Sequence, residues 1–216
     1  MLNEKSTLVL RDYLSQHPEL KVVSTDSVIG FISGLLACSE FYGESEIANY
    51  IADKNDPIYT RLMTSSAEHD AMITLLDNVT EAQVAQQHIL VSIYPHGKDA
   101  KAPSEQLQQW CVGYLAAYMV NQEVWQHDFN FLLSADKQVV ENQADGQLFI
   151  DNFEATLNLL ATFAMWPDSL KEHPEPAILS EGFTLLYSGL DESLTGIASM
   201  ALMLEDEKLA LWEEEG

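Results

Sequence analysis

Apolar residues recur along most of the chain at the three- and four-residue spacing of amphipathic helices. The clearest case follows Asp26, which we expect to cap a helix. The apolar positions of that helix are Val28, Phe31, Ile32, Leu35 and Leu36. Because residues four apart lie on the same helix face, this pattern predicts a helix with one side buried in the core.

Capping signals and prolines divide the remaining pattern into further helices. We expect helices over 6–16, 44–52, 122–133, 177–188 and 191–211, and one from Asp56-Pro57 to about 76. Further helices are expected to begin at the capping box 80–83, at Ser104 and at 151, the last of them ending near 167. Loops are expected at 95–103 and 171–176, and a polar stretch occupies 134–146. Residues 89–94 have strand-forming side chains, but we predict a helix end there because no partner strand is visible. The expected fold is all-α, a single-domain bundle of about eight helices over 1–216.

Two short helical segments echo each other. The first is Gly30-Phe31-Ile32-Ser33-Gly34-Leu35, and the second is Gly113-Tyr114-Leu115-Ala116-Ala117-Tyr118, entered through Trp110-Cys111. In each, a glycine lies four residues before a second small residue, so one face of the helix is free of bulk. We predict that these faces mark close helix–helix packing, the alternative being that they line a ligand groove. The structural motif residues are Gly30, Phe31, Gly34, Leu35, Trp110, Cys111, Gly113, Tyr114 and Ala117.

The charge balance excludes some partners and suggests another. The chain has 34 acidic and 10 basic residues, a net charge of −24. Nucleic-acid binding through phosphates needs clustered Lys and Arg, and an anionic membrane surface also attracts basic segments, so we expect neither partner. Residues 151–216 hold 14 of the acids and 2 of the bases, which is half of the net charge. This acidic C-terminal end is either a generic solvated surface or a surface that attracts a basic protein.

Candidate chemistry is weak along the chain. Cys38 and Cys111 lie in apolar helical segments without a neighbouring basic side chain, and we expect them to be buried and unreactive. Glu123 and His127 are one turn apart, whereas a metal site needs three or more ligands. We therefore predict no catalytic residue, metal or cofactor. The alternative is a metal- or thiol-dependent enzyme that uses Cys111 or the Glu123/His127 helix face.

The paired segments resemble the YgfB/YecA family of small bacterial proteins. The resemblance rests on Gly-Phe-x-x-Gly-Leu-Leu at residue 30 and on Trp110-Cys111-x-Gly113-Tyr114 after a proline loop, and it extends over about 20–205. It implies an all-α fold, a homodimer, and an adaptor or regulator rather than an enzyme. The chain departs from the family pattern at Ile29, where relatives commonly have histidine. Since these residues end in Trp212 and three glutamates before Gly216, we expect a member without the cysteine-rich zinc-binding tail of some relatives.

The cellular location is predicted from the secretion and membrane signals that are missing from these residues. The first residues contain neither a basic region nor an apolar signal core, and the longest apolar run, 28–38, is too short to span a bilayer. Two cysteines in a chain of this length do not make a disulfide framework. We therefore expect a cytoplasmic protein with reduced thiols.

Overall fold

The computed structural model describes residues 4–22, 24–40, 43–85, 90, 93–134 and 143–215. Within these ranges the chain forms eleven helices and no strand. The helices are α1 (Glu4–Ser15), α2 (Thr25–Leu35), α3 (Glu44–Ile51), α4 (Pro57–Leu62), α5 (Ala67–Val84), α6 (Glu105–Val120), α7 (Gln122–Leu132), α8 (Gln143–Ala164), α9 (Trp166–Glu172), α10 (Pro176–Glu181) and α11 (Phe183–Glu215). The all-α class is confirmed, whereas the expected number of about eight helices is too low. Half of the segment 89–94, residues 89, 91 and 92, lies outside the described residues.

No helix in the described part of the chain combines the length and the apolar character needed to cross a membrane.

Local capping chemistry fixes several helix starts. Asp56 accepts a hydrogen bond from the backbone of Ile58 at 2.8 Å, with Pro57 as the first residue of α4, and Ser104 accepts one from Leu107 at 3.2 Å. Both starts are as predicted. The predicted cap of α2 is wrong by two residues, because Ser24 rather than Asp26 accepts from the backbone of Ser27.

The region after Asp56 divides differently from the prediction. The helix that begins at Pro57 ends at Leu62, since Ser66 caps a new helix by accepting from the backbone of His69. That new helix, α5, continues through the expected start at Thr80. The Thr80 hydroxyl donates to the carbonyl of Leu76, one turn earlier in the same helix, at 2.9 Å. Thr80 therefore does not cap the start of a helix.

Two other expected boundaries fall inside long helices. Asp151 lies within α8, where its carboxylate accepts from the Gln147 amide one turn earlier at 2.8 Å. Asp191 lies within α11, and its carboxylate accepts from the distant backbone of Leu90 at 3.1 Å. Both aspartates resemble caps in the sequence, but their side chains have other hydrogen-bond donors. The helices predicted over 177–188 and 191–211 are therefore replaced by α10 and the 33-residue α11.

The core is built around α2, in which every residue except Asp26 is buried. Helix α6 packs across α2 and also against α8, while α1 packs on α5 and α11 packs on α8 and α5. The largest fully buried side chains are Trp110, Tyr187, Phe31, Phe153, Phe163 and Phe183. One cluster of buried apolar residues thus extends from Leu10 to Ile197 and draws on most of the helices.

Candidate functional site at the crossing of α2 and α6

The two glycine-containing segments lie directly against each other. A Cβ atom at Gly113 would lie 1.9 Å from the carbonyl oxygen of Ser27, and one at Gly30 would lie 2.0 Å from that of Trp110. A Cβ at Gly34 would lie 2.7 Å from the Cβ of Ala117. Real Cβ atoms essentially never come within 3.0 Å of such neighbours. The backbone of one helix therefore fills the space beside the other, and no room remains there for a ligand.

The bulky residues of the same segments point into the core around this crossing. The Phe31 ring stacks on Tyr50 with centroids 3.9 Å apart, and the Trp110 and Tyr114 rings lie 5.3 Å apart. Leu35 and Cys111 are also buried. All nine motif residues thus lie at one helix crossing, with packing roles.

A small cavity lies beside the crossing. It has a volume of about 30 Å³, and its polar lining residues are Ser33, Gln83, Trp110, Tyr114, Asp191 and Thr195. The indole nitrogen of Trp110 and the hydroxyl of Tyr114 are buried without a hydrogen-bond partner among the described residues. A cavity of this size and polarity suits an ordered water molecule.

The opposite side of α6 faces outward and is apolar. Val112 is 40% exposed, Met119 65% and Val120 59%, and Ala116 between them is partly buried. We name Val112, Ala116, Met119 and Val120 the outer α6 face. No charged residue occurs between Glu105 and Glu123 in the sequence, although a fifth of the chain is charged. The outer α6 face is thus an uncharged strip on a strongly acidic protein.

Neither cysteine has the environment of a nucleophile. Cys111 is fully buried, and burial raises the pKa of its thiol. Burial also raises the pKa of Cys38 to about 12. The Cys38 thiol donates to the carbonyl of Leu35 at 3.2 Å and accepts from the Asn121 amide at 3.1 Å. A reactive thiol needs a lowered pKa, so these sites favour the neutral, unreactive form.

Glu123 and His127 lie on the exposed surface of α7. The described residues contain no group of three or more His, Cys, Asp or Glu side chains that could hold a metal ion. No third ligand from the described residues therefore reaches this helix face.

A buried polar cluster was missed in the sequence. The Asp128 side chain is 0% exposed, and both of its carboxylate oxygens lie 2.8 Å from the Ser39 hydroxyl, which donates its one proton to the carboxylate. The ammonium of Lys208 donates to both Asp128 and Ser39. This cluster joins the chain after α2 to α7 and to the far part of α11. One available signal was that Lys208 is the only Lys or Arg after Lys171.

No family model matches the chain, and no curated protein or solved structure matches it either. The resemblance to the YgfB/YecA family stays a prediction, and functional inference depends on the geometry of the chain itself.

Proposed function

We propose that this protein is a non-enzymatic, protein-binding adaptor or regulator of the YgfB/YecA type that works as a homodimer in the cytoplasm. The observation that carries this proposal is the outer α6 face. From Trp110 to Val120, helix α6 is apolar around its whole circumference, because its inner face lies in the core and its outer face bears Val112, Met119 and Val120. A helix that is apolar all round is typical of a fully buried position, which a protein partner would supply here.

A second copy of the chain is the partner that best fits the outer α6 face. Two chains that each carry a net charge of −24 repel one another over most of their surfaces. They can approach with least repulsion through a strip that has no charge. A two-fold dimer places the same patch of each subunit in the interface, which is the commonest symmetry of homo-oligomers.

The adaptor role also draws on the acidic C-terminal end. Glu205, Asp206 and Glu207, here called the acidic triplet, are exposed on α11, while the adjacent Lys208 points inward to Asp128. The inward lysine leaves the negative charge of the triplet uncompensated at the surface and ties this part of α11 to α7. Such a surface would attract a basic protein at long range. The backbone of residues 211–215 continues α11, and the structure does not describe their side chains.

Capture of partners from a cell lysate tests the adaptor role. We expect the unaltered chain to retain specific proteins at about 10 mM salt and to release them at about 100 mM, because the Debye length falls from about 30 to about 10 Å. Glu205→Gln, Asp206→Asn and Glu207→Gln together should abolish capture. A matched control removes the same charge from three exposed acids on or next to α9 and α10, through Glu172→Gln, Glu175→Gln and Glu181→Gln. Capture that is insensitive to salt and equal in both variants would contradict the basic-partner proposal.

A further inference from the structure

A groove lies where the starts of α2 and α6 meet α1. It has a volume of about 630 Å³, within the range of pockets that bind small ligands. Helix α1 supplies Glu4, Thr7, Leu8 and Arg11 to its lining. The other lining residues are Asp26, Ile29, Ile93, Tyr94, Pro95, Ser104 and Gln106. The groove is separate from the outer α6 face and from the acidic triplet.

Two opposite charges, Arg11 and Asp26, line this groove without forming an ion pair with each other. Arg11 forms no ion pair within the described part of the chain, although Asp26 lines the same groove. The other arginine of the chain, Arg61, does form one, donating to the carboxylate of Glu68 at 3.0 and 3.2 Å. The Arg11 guanidinium and the Asp26 carboxylate therefore line one groove without pairing, near enough for the charge of Arg11 to act on Asp26.

Asp26 is positioned as a recognition group. It is partly buried, and the hydroxyl of Tyr94 donates to its carboxylate at 3.0 Å. Burial raises the pKa of this carboxyl, while the Tyr94 hydrogen bond and the positive charge of Arg11 oppose that rise. A cationic group of a ligand would replace the solvation that burial has removed from the carboxylate.

Apolar side chains form part of the groove lining beside these charges. Leu8 is 47% exposed on α1, and Ile93, Tyr94 and Pro95 form the adjoining wall. The start of α6 also opens onto the groove through Ser104, and its helix dipole favours a negative group at that end.

We propose that this groove binds a zwitterionic ligand with an apolar body, an α-amino acid or a short peptide with free ends. The ligand's ammonium group lies against Asp26, and its carboxylate accepts the paired N–H groups of Arg11, a geometry for which guanidinium is well suited. Its apolar side chain packs on Leu8 and on the wall at 93–95.

Isothermal titration calorimetry with a matched panel of ligands tests the charge requirement on the unaltered chain. The panel contains leucine, leucyl-leucine, N-acetyl-leucine and leucinamide. We expect at least one of the two free zwitterions to bind, and the one that binds shows whether the groove spans one residue or two. Blocking either end should weaken binding about tenfold or more, since each block removes a charge-assisted hydrogen bond. No binding by either zwitterion, or equal binding by the blocked forms, would overturn the proposal.

Variants assign the two ends of the ligand. Arg11→Gln should weaken binding of the free zwitterion about tenfold or more but leave binding of leucinamide unchanged, because leucinamide has no carboxylate. Asp26→Asn should also weaken binding of the free zwitterion but leave binding of N-acetyl-leucine unchanged, because N-acetyl-leucine has no ammonium group. Arg61→Gln is the matched control, because it removes the other arginine from outside this groove and should leave binding unchanged. If Arg11→Gln and Asp26→Asn both bind the zwitterion like the unaltered chain, the proposed site is wrong.

Discussion

Replacing Gly113 with alanine tests the crossing of α2 and α6 by adding a single methyl group. The new Cβ would lie 1.9 Å from the carbonyl oxygen of Ser27 and 2.8 Å from the backbone nitrogen of Phe31, against a practical minimum of 3.0 Å. The first contact alone must open by about 1.1 Å, the difference between 3.0 and 1.9 Å. Both neighbours are backbone atoms, so no change of side-chain rotamer can relieve the clash.

The expected cost follows from that geometry. Overpacking of a tight core costs about 1–3 kcal/mol and occasionally more, whereas alanine gains about 1 kcal/mol over glycine in helix propensity. Since the clash involves rigid backbone, we expect Gly113→Ala to lower the free energy of unfolding by about 2 kcal/mol net. For a chain of this size the melting temperature should fall by roughly 4–8 °C, measured by circular dichroism at 222 nm.

Gly189→Ala is the matched control. It also lies inside a helix, α11, but a Cβ there would have no neighbour within 4 Å. The control should therefore gain about 0.5–1 kcal/mol from propensity alone. If Gly113→Ala melts at or above the temperature of the unaltered protein, the close crossing is not present in solution.

Two further predictions concern buried polar groups. Lys208→Met should lower the free energy of unfolding, measured by urea denaturation, by about 3–5 kcal/mol, because it leaves the fully buried Asp128 charged without its partner. Adding Asp128→Asn should recover part of this loss, and no recovery would show that the loss is not electrostatic. In the native protein at pH 8, both Cys38 and Cys111 should resist a disulfide reagent such as Ellman's, since burial raises the pKa of both thiols, that of Cys38 to about 12. Both thiols should react in denaturant, and rapid labelling of the native protein would contradict this prediction.

Local signals predicted much of the fold. Asp56 with Pro57, and Ser104, act through hydrogen bonds to residues only a few positions away, so the chain itself displays them. The nine motif residues were visible for the same reason, because the spacing of small residues along a helix is a local property.

Long-range contacts account for what the sequence did not reveal. Asp191 resembled a helix start, but its carboxylate accepts from Leu90, which is 101 positions away. The Ser39–Asp128–Lys208 cluster joins side chains that are 80 or more positions apart. Likewise, nothing in the sequence pattern indicated that Arg11 and Asp26 would line one groove. Such pairings depend on how helices assemble rather than on where each begins and ends.

The molar mass in solution tests most directly whether the outer α6 face is a protein contact surface. By light scattering at micromolar concentration, we expect twice the 24.2 kDa mass of one chain. Val112→Glu with Met119→Glu should give the single-chain mass, because charges would then occupy the interface. The control Ile178→Glu with Leu185→Glu adds the same charge at exposed apolar residues on α10 and α11 and should remain dimeric. A single-chain mass for the unaltered protein, or a dimer that survives the α6 substitutions, would contradict this account.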